Sequence, residues 1–299
     1  MRTLAALLLA LAASACTPVF FQPSSTLYAT PGLYGIDYQP VELKAKDGTA
    51  LFAWFLPARG KAIGSVLYLH GNAENISTHF ANVAWMPAAG YNVLALDYRG
   101  YGGSEGRPSL AGVQMDIDAA MQALISRPDV DPNRVIVFGQ SLGGALAIYY
   151  VAHSQYRSHI RAVIADSAFA DYRLVAQEKL ADVPLTWPLQ WLPKFTVDND
   201  YSPRAAVAAL APIPLLLIHG ERDSIVPPHH SQILYDLAHE PKELWNIPDA
   251  GHIGALRQAA VRKRLAEYLA AEEEIGVRTL IKSGSEPEKN RALTPISAR

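Results

Sequence analysis

In the stretch "RVIVFGQSLGGALAIYY", residues 134–150, one serine stands among three glycines. The β-branched run before it reads as a buried strand and Ala145 to Tyr150 as a helix, so the glycines occupy the join. A turn this sharp forces its central residue into a strained backbone conformation, and side chains two positions to either side would collide with strand and helix. Gly139 and Gly143 carry no side chain there. The spacing G-x-S-x-G lifts the hydroxyl of Ser141 above the end of a sheet, where it can attack an acyl carbonyl. That chemistry also needs a base, an acid to orient it, and donors for the oxygen that becomes negative.

Candidates for each lie at other strand ends. After the first parallel strand comes Leu69-His70-Gly71-Asn72, where a glycine lets the chain bend back so that the Asn72 amide faces the serine. With the Leu142 amide at the helix start, it makes a two-donor oxyanion hole. His70 itself reads as a strand-end residue with a local hydrogen bond. After "PLLLIHG" comes Asp223, which gives the chain order serine, acid, histidine; Asp166, ending "AVIADS", is its rival. His252, in the glycine-flanked loop of "NIPDAGHIGAL", is placed to swing over the sheet as the base. The remaining loop and helix histidines, among them His229 and His230, read as solvated. No cysteine cluster exists and the histidines are scattered, so the sequence predicts no metal site, and the chemistry calls for no cofactor.

The elements that must position these groups follow from periodicity. Tyr38 to Leu56 alternates, with two strands joined at Asp47-Gly48. "AIGSVLYLHG", "YNVLALDYRG", "RVIVFG", "IRAVIADS", "IPLLLIHG" and "KELWNIP" are short apolar runs, most of them separated by helical stretches near 78–89, 110–126, 143–153, 229–239 and 256–271. Continuous apolar strands alternating with helices predict an α/β fold, a mostly parallel sheet covered on both faces, with function at the carboxyl ends of the strands. The connection at about 170–210 contains "VPLTWPLQWLPKF" and reads as a small cap. Its Trp187, Trp191 and Phe195 either line an acyl pocket or pack the cap onto the body.

The chain has 299 residues, 50% hydrophobic and 18% charged, with a net charge of -2, which fits one globular domain and argues against nucleic acid as a partner. The basic run Arg262-Lys263-Arg264 reads as a solvated helix face. Residues 1–15 have the layout of a secretory signal: one arginine, an apolar core from Leu4 to Ala13, and small residues before Cys16. "ASAC" resembles a bacterial lipobox, and Cys16 is the only cysteine. The expectation is a lipid on Cys16, a flexible leader over 16–37, and an envelope location, with Thr17 pointing to the outer membrane. Residues 272–299, polar and broken by glycine and proline, read as a disordered tail.

With "HGNAEN" at 70–75, "DYRGYGGSEG" at 97–106, "GQSLGG" at 139–144, "HGERDSIVP" at 219–227 and "AGHIG" at 250–254, the chain resembles the α/β-hydrolase superfamily from about residue 40 to residue 271. It is most similar to the serine aminopeptidase-like and monoacylglycerol-lipase-like group. The resemblance implies Ser141 as nucleophile, His252 as base, Asp223 as orienting acid, and Asn72 and Leu142 as the hole, acting on a small-molecule or lipid ester. Asp97 and Arg99 are expected to build a loop. Glu74 departs from the family's usual glycine and is expected to disfavour anionic substrates.

Overall fold

The apolar runs become strands of one eight-stranded sheet in a computed structural model that describes residues 20–282. Residues 1–19, with the expected signal and Cys16, and the last seventeen residues, 283–299, lie outside the described residues. In chain order the strands are β1 (Gln22–Pro23), β2 (Gln39–Lys44), β3 (Ala50–Leu56), β4 (Gly64–Leu69), β5 (Ala73–Glu74), β6 (Tyr91–Asp97), β7 (Val135–Gln140), β8 (Ile160–Asp166), β9 (Leu215–Gly220) and β10 (Lys242–Ile247). The large sheet runs β10-β9-β8-β7-β4-β6-β3-β2, parallel from β10 to β6 and antiparallel at β6–β3 and β3–β2. The five main helices are α1 (Leu110–Ile125), α2 (Leu142–His153), α3 (Tyr172–Ala181), α4 (His229–Leu237) and α5 (Ala259–Lys282).

The runs are apolar without alternation because both faces of the sheet are covered. Leu67 and Leu69 of β4 join Val137, Leu217 and the buried sides of α1 and α2 in one core. Val66 and Tyr68 of the same strand join Phe138, Ile218 and Leu265 of α5 in the other. The expected hairpin is present: Lys44 pairs with Ala50, and Gly48 turns at φ 92°.

Three expectations need correction. The stretch near 78–89 is not one helix but separate short turns at 76–79, 80–82 and 87–89, with Pro87 and Gly90 breaking its continuity. The last helix does not stop at 271 but continues to Lys282, into the segment read as a disordered tail. The leader is not a flexible tether once Phe20 is reached. Phe21 is buried in the core, and β1 pairs in parallel with β5. The Asn75 side chain donates to the carbonyls of Ser24 and Thr26, 2.8 Å each, and the Gly102 amide donates to Ser24 O. The leader lacks a period because it is a strap held by polar contacts to two loops.

Candidate active site

Ser141 sits between β7 and α2 with φ 53° and ψ −117°, a conformation set by the tight turn that the glycines around it permit. A Cβ on Gly139 would run into the carbonyl of Gly143, and one on Gly143 into the carbonyl of Leu69 at the end of β4. Ser141 occupies the N-cap of α2, yet its side chain makes no capping bond. Its Oγ lies instead 2.9 Å from His252 Nε2. His252 Nδ1 lies 2.7 Å from Asp223 Oδ2, so serine, imidazole and carboxylate form one line across three loops at the carboxyl edge of the sheet.

Each loop is built to hold its group. Asp223 Oδ1 accepts from the amides of Ile225 and Val226, 2.9 Å each, which leaves Oδ2 for the imidazole. Burial acts to raise the Asp223 carboxyl, but the hydrogen bonds from His219 and His252 outweigh it and hold the group well below the usual carboxylate range. His252 is fixed from its other side, where the Ile253 amide donates to Ser167 Oγ at 3.0 Å.

Asp166 does not compete for His252. It is fully buried and accepts from Gln140 Nε2 at 2.8 Å, while Gln140 Oε1 accepts from Tyr68 at 2.6 Å. Burial raises its carboxyl above the ordinary value, against the Gln140 hydrogen bond. The Asp166 carbonyl instead holds the elbow, accepting from the Ser141 amide at 2.8 Å.

Asn72 and Leu142 flank the serine. A Cβ built on Gly71 would stand 3.7 Å from that of Ser141, so the backbone leading into Asn72 passes beside the elbow. The Leu142 amide opens α2, at the positive end of its dipole. The Asn72 backbone is braced by the strap: its carbonyl accepts from Tyr101 Oη at 2.7 Å, and its side-chain oxygen accepts from the Gln22 amide at 2.8 Å. His70 does as expected, bonding Gly71 O through Nδ1 at 2.7 Å. Asp97 and Arg99 also hold loops: Asp97 accepts from the Ile76 amide, and Arg99 pairs with Asp116 and Asp47, each at 2.7 Å.

Two features escaped the sequence. His219, read as part of an apolar strand, is buried behind Asp223, with Nε2 2.8 Å from Val226 O and 3.3 Å from Asp223 Oδ2. His229 and His230, read as solvated, both bond Glu178 of α3 at 2.8 Å, and His230 is buried. This is the one group among the described residues with the donor atoms to hold a metal ion. The Ala170 amide donates to His230 Nδ1 at 3.2 Å, so the ring proton sits on Nε2 and points at Glu178. The arrangement is a hydrogen-bonded clamp between α3 and α4.

A cleft of about 490 Å³ has Glu74, His79, Ile253, Arg257 and Arg262 among its walls; Ser141 and His252 do not line it. Glu74 shares this cleft with two arginines. No cap residue lines this cleft, and Trp187, Trp191 and Phe195 are exposed, so they neither wall it nor pack the cap onto the body.

Fold and site together define an α/β hydrolase. The chain belongs to the family described as serine aminopeptidase, S33, whose model matches residues 60–209, half of its length. It is 41% identical over 235 residues to the uncharacterized protein YfhR of Escherichia coli K12, covering 76% of this chain and 79% of that one. It is 32% identical over 231 residues to the α/β hydrolase domain-containing protein WAV2 of Arabidopsis thaliana, covering 73% and 72%. The solved structure of the Pyrococcus furiosus esterase Pf2001 shares the fold with a TM-score of 0.68 at 23% identity, over 85% of this chain and 98% of that one.

Proposed function

We propose that this hydrolase cleaves carboxylic ester bonds of small-molecule or lipid substrates through an acyl-enzyme on Ser141. The observation that carries the reading is the unbroken line from Ser141 Oγ through His252 to Asp223, at 2.9 and 2.7 Å. His252 Nε2 takes the hydroxyl proton as Oγ attacks the carbonyl carbon, and Asp223 stabilises the imidazolium that forms. The tetrahedral oxygen rests on the amides of Asn72 and Leu142. The imidazolium then protonates the leaving alcohol, and a water activated by the same imidazole releases the acid.

We place the protein at the bacterial cell envelope, tethered by its N-terminus through Cys16.

Labelling with a fluorophosphonate probe, alongside a panel of p-nitrophenyl esters of increasing acyl length, tests the reading. Labelling and turnover should both disappear in Ser141→Ala with circular dichroism unchanged. Turnover that persists in that variant would overturn it.

A further inference from the structure

The cap carries a surface that the proposed reaction does not use. Between α3 and residue 197 the chain exposes Val183, Leu185, Trp187, Leu189, Trp191 and Phe195, with Leu185 at 87% and Phe195 at 72% of full exposure. No acidic residue occurs from 183 to 197, and Lys194 is the only charge. Proteins surrounded by water rarely present so many large apolar side chains together. Much of the backbone beneath them is hydrogen-bonded within the segment. The amides of Thr186, Leu189, Leu192 and Phe195 each donate three residues back, and Pro184, Pro188 and Pro193 have no amide hydrogen to leave unpaired.

The start of the described chain says what lies beneath this surface. Phe20 packs edge-on against Tyr172, the first residue of α3, with ring centroids 5.0 Å apart. The exposed segment is tied to that same helix, Thr186 Oγ1 donating to Leu180 O and Arg173 donating to Val197 O. Cys16 lies four residues before Phe20, at most about 14 Å of extended chain. A lipid on Cys16, or the apolar run before it, therefore leaves the body beside the cap.

We propose that the exposed face of the cap over residues 183–195 docks into the lipid bilayer that holds the N-terminus, so that ester substrates reach the site from the membrane. The inference rests on the envelope-tethered reading given above. Trp187 and Trp191 sit at the headgroup level, Leu185 and Phe195 enter the acyl region, and Lys194 reaches lipid phosphates. Ile225, two residues after Asp223, is exposed as well. Its loop is joined to α3 by Lys179 Nζ donating to Ser224 O at 3.2 Å.

The test uses the full chain, purified in detergent from a Gram-negative host and reconstituted into phosphatidylethanolamine and phosphatidylglycerol vesicles with or without brominated acyl chains. Bromolipid should quench tryptophan emission, and the double variant Trp187→Phe, Trp191→Phe should abolish that quenching. Val183→Glu with Leu185→Glu should weaken the cap's partition into lipid by about tenfold per residue. The same variant should slow hydrolysis of a vesicle-embedded long-chain ester and leave p-nitrophenyl acetate turnover unchanged. Absence of quenching overturns the proposal, as does a stable dimer that the glutamates dissociate. Release by carbonate would defeat the tether alone, and quenching on mixing the released protein with vesicles would then decide the cap. Wild type without p-nitrophenyl acetate turnover would defeat the esterase reading alone.

Discussion

His219 approaches the same oxygen of Asp223 that holds His252: its Nε2 is 3.3 Å from Oδ2, and His252 Nδ1 is 2.7 Å from it. Val226 O, 2.8 Å from His219 Nε2, can only accept, so Nε2 carries the ring proton and Nδ1 accepts from the Ser231 hydroxyl. The orienting carboxylate thus lies between two imidazoles. His219→Leu removes one donor and leaves Val226 O and Ser231 unpaired, at a cost of about 1–3 kcal/mol in stability. We expect kcat/KM to fall by about tenfold to a hundredfold. The Asp223 carboxyl should titrate at higher pH, because a hydrogen bond that depresses it is gone. His219→Gln, which keeps a donor, should recover part of both losses; kinetics identical to wild type in His219→Leu would remove the residue from any positioning role.

Asp223→Asn should be more damaging than its conservative appearance suggests. The amides of Ile225 and Val226 both donate to Oδ1, which fixes the asparagine carbonyl there. Its NH2 group is then directed at His252 Nδ1, which must accept, so the ring proton moves to Nε2 and the imidazole cannot take the proton of Ser141. A loss of about 10⁴ in kcat is expected with KM nearly unchanged. A loss below tenfold, measured on soluble esters, would point to another orienting acid.

The strap predicts an effect on rate from outside the line of three. Tyr101 Oη donates to Asn72 O at 2.7 Å and accepts from the Gln22 amide at 3.1 Å. Tyr101→Phe removes both bonds, each worth about 0.5–1.5 kcal/mol. If Asn72 supplies a donor to the oxyanion, kcat should drop about threefold to tenfold with little change in KM. An unchanged kcat would place that donor elsewhere.

Crowding at the elbow separates two glycines that look alike in sequence. Gly143→Ala drives a Cβ into the Leu69 carbonyl and should cost about 3 kcal/mol or more, or prevent folding. At Gly251 the nearest atom to an added Cβ is Arg222 O at 3.8 Å, and Gly251→Ala should change stability by less than about 0.5 kcal/mol. Urea midpoints of the two variants decide the comparison.

Asp97 predicts a pH dependence of stability. Burial pushes its carboxyl up to about 7, against the hydrogen bonds donated by the amides of Ile76 and Gly103. Below about pH 4 both folded and unfolded chains hold this proton and the group contributes nothing. Between 4 and 7 the unfolded chain ionises first, so the folded state loses stability as pH rises, by up to about 4 kcal/mol in all. Asp97→Asn carries no such loss. Its stability relative to wild type should therefore improve from pH 4.5 to pH 8, and the opposite trend in denaturant midpoints would refute the assignment.

What the sequence disclosed followed from how local each signal is. Val66 and Tyr68 against Leu67 and Leu69 reveal a strand buried on both faces, and Gly139, Ser141 and Gly143 reveal the elbow, because the constraint and the residues that meet it are neighbours. The sequence favours Asp223 by its place in the chain order but leaves Asp166 as a rival, since both follow or end a parallel strand; Gln140, across from Asp166 on β7, takes Asp166 out of the line. The clamp was hidden because Glu178 lies about fifty residues from His229 and His230 on a different helix. The strap was hidden because a two-residue strand has no period to detect. The aromatic cap was read as facing inward because composition does not say which side of a helix is covered.

The strap also bears on the order in which the molecule is completed. Residues 21–24 are made before the residues that hold them, Asn72 to Asn75 and Tyr101 to Gly102. They cannot settle until the first third of the chain has been delivered and β6 has brought its loop into place. The strap therefore docks only once the residues up to Gly102 are in place, and the loop that carries Asn72 stays unbraced until it does. The finished site is thus a report that the N-terminus has arrived.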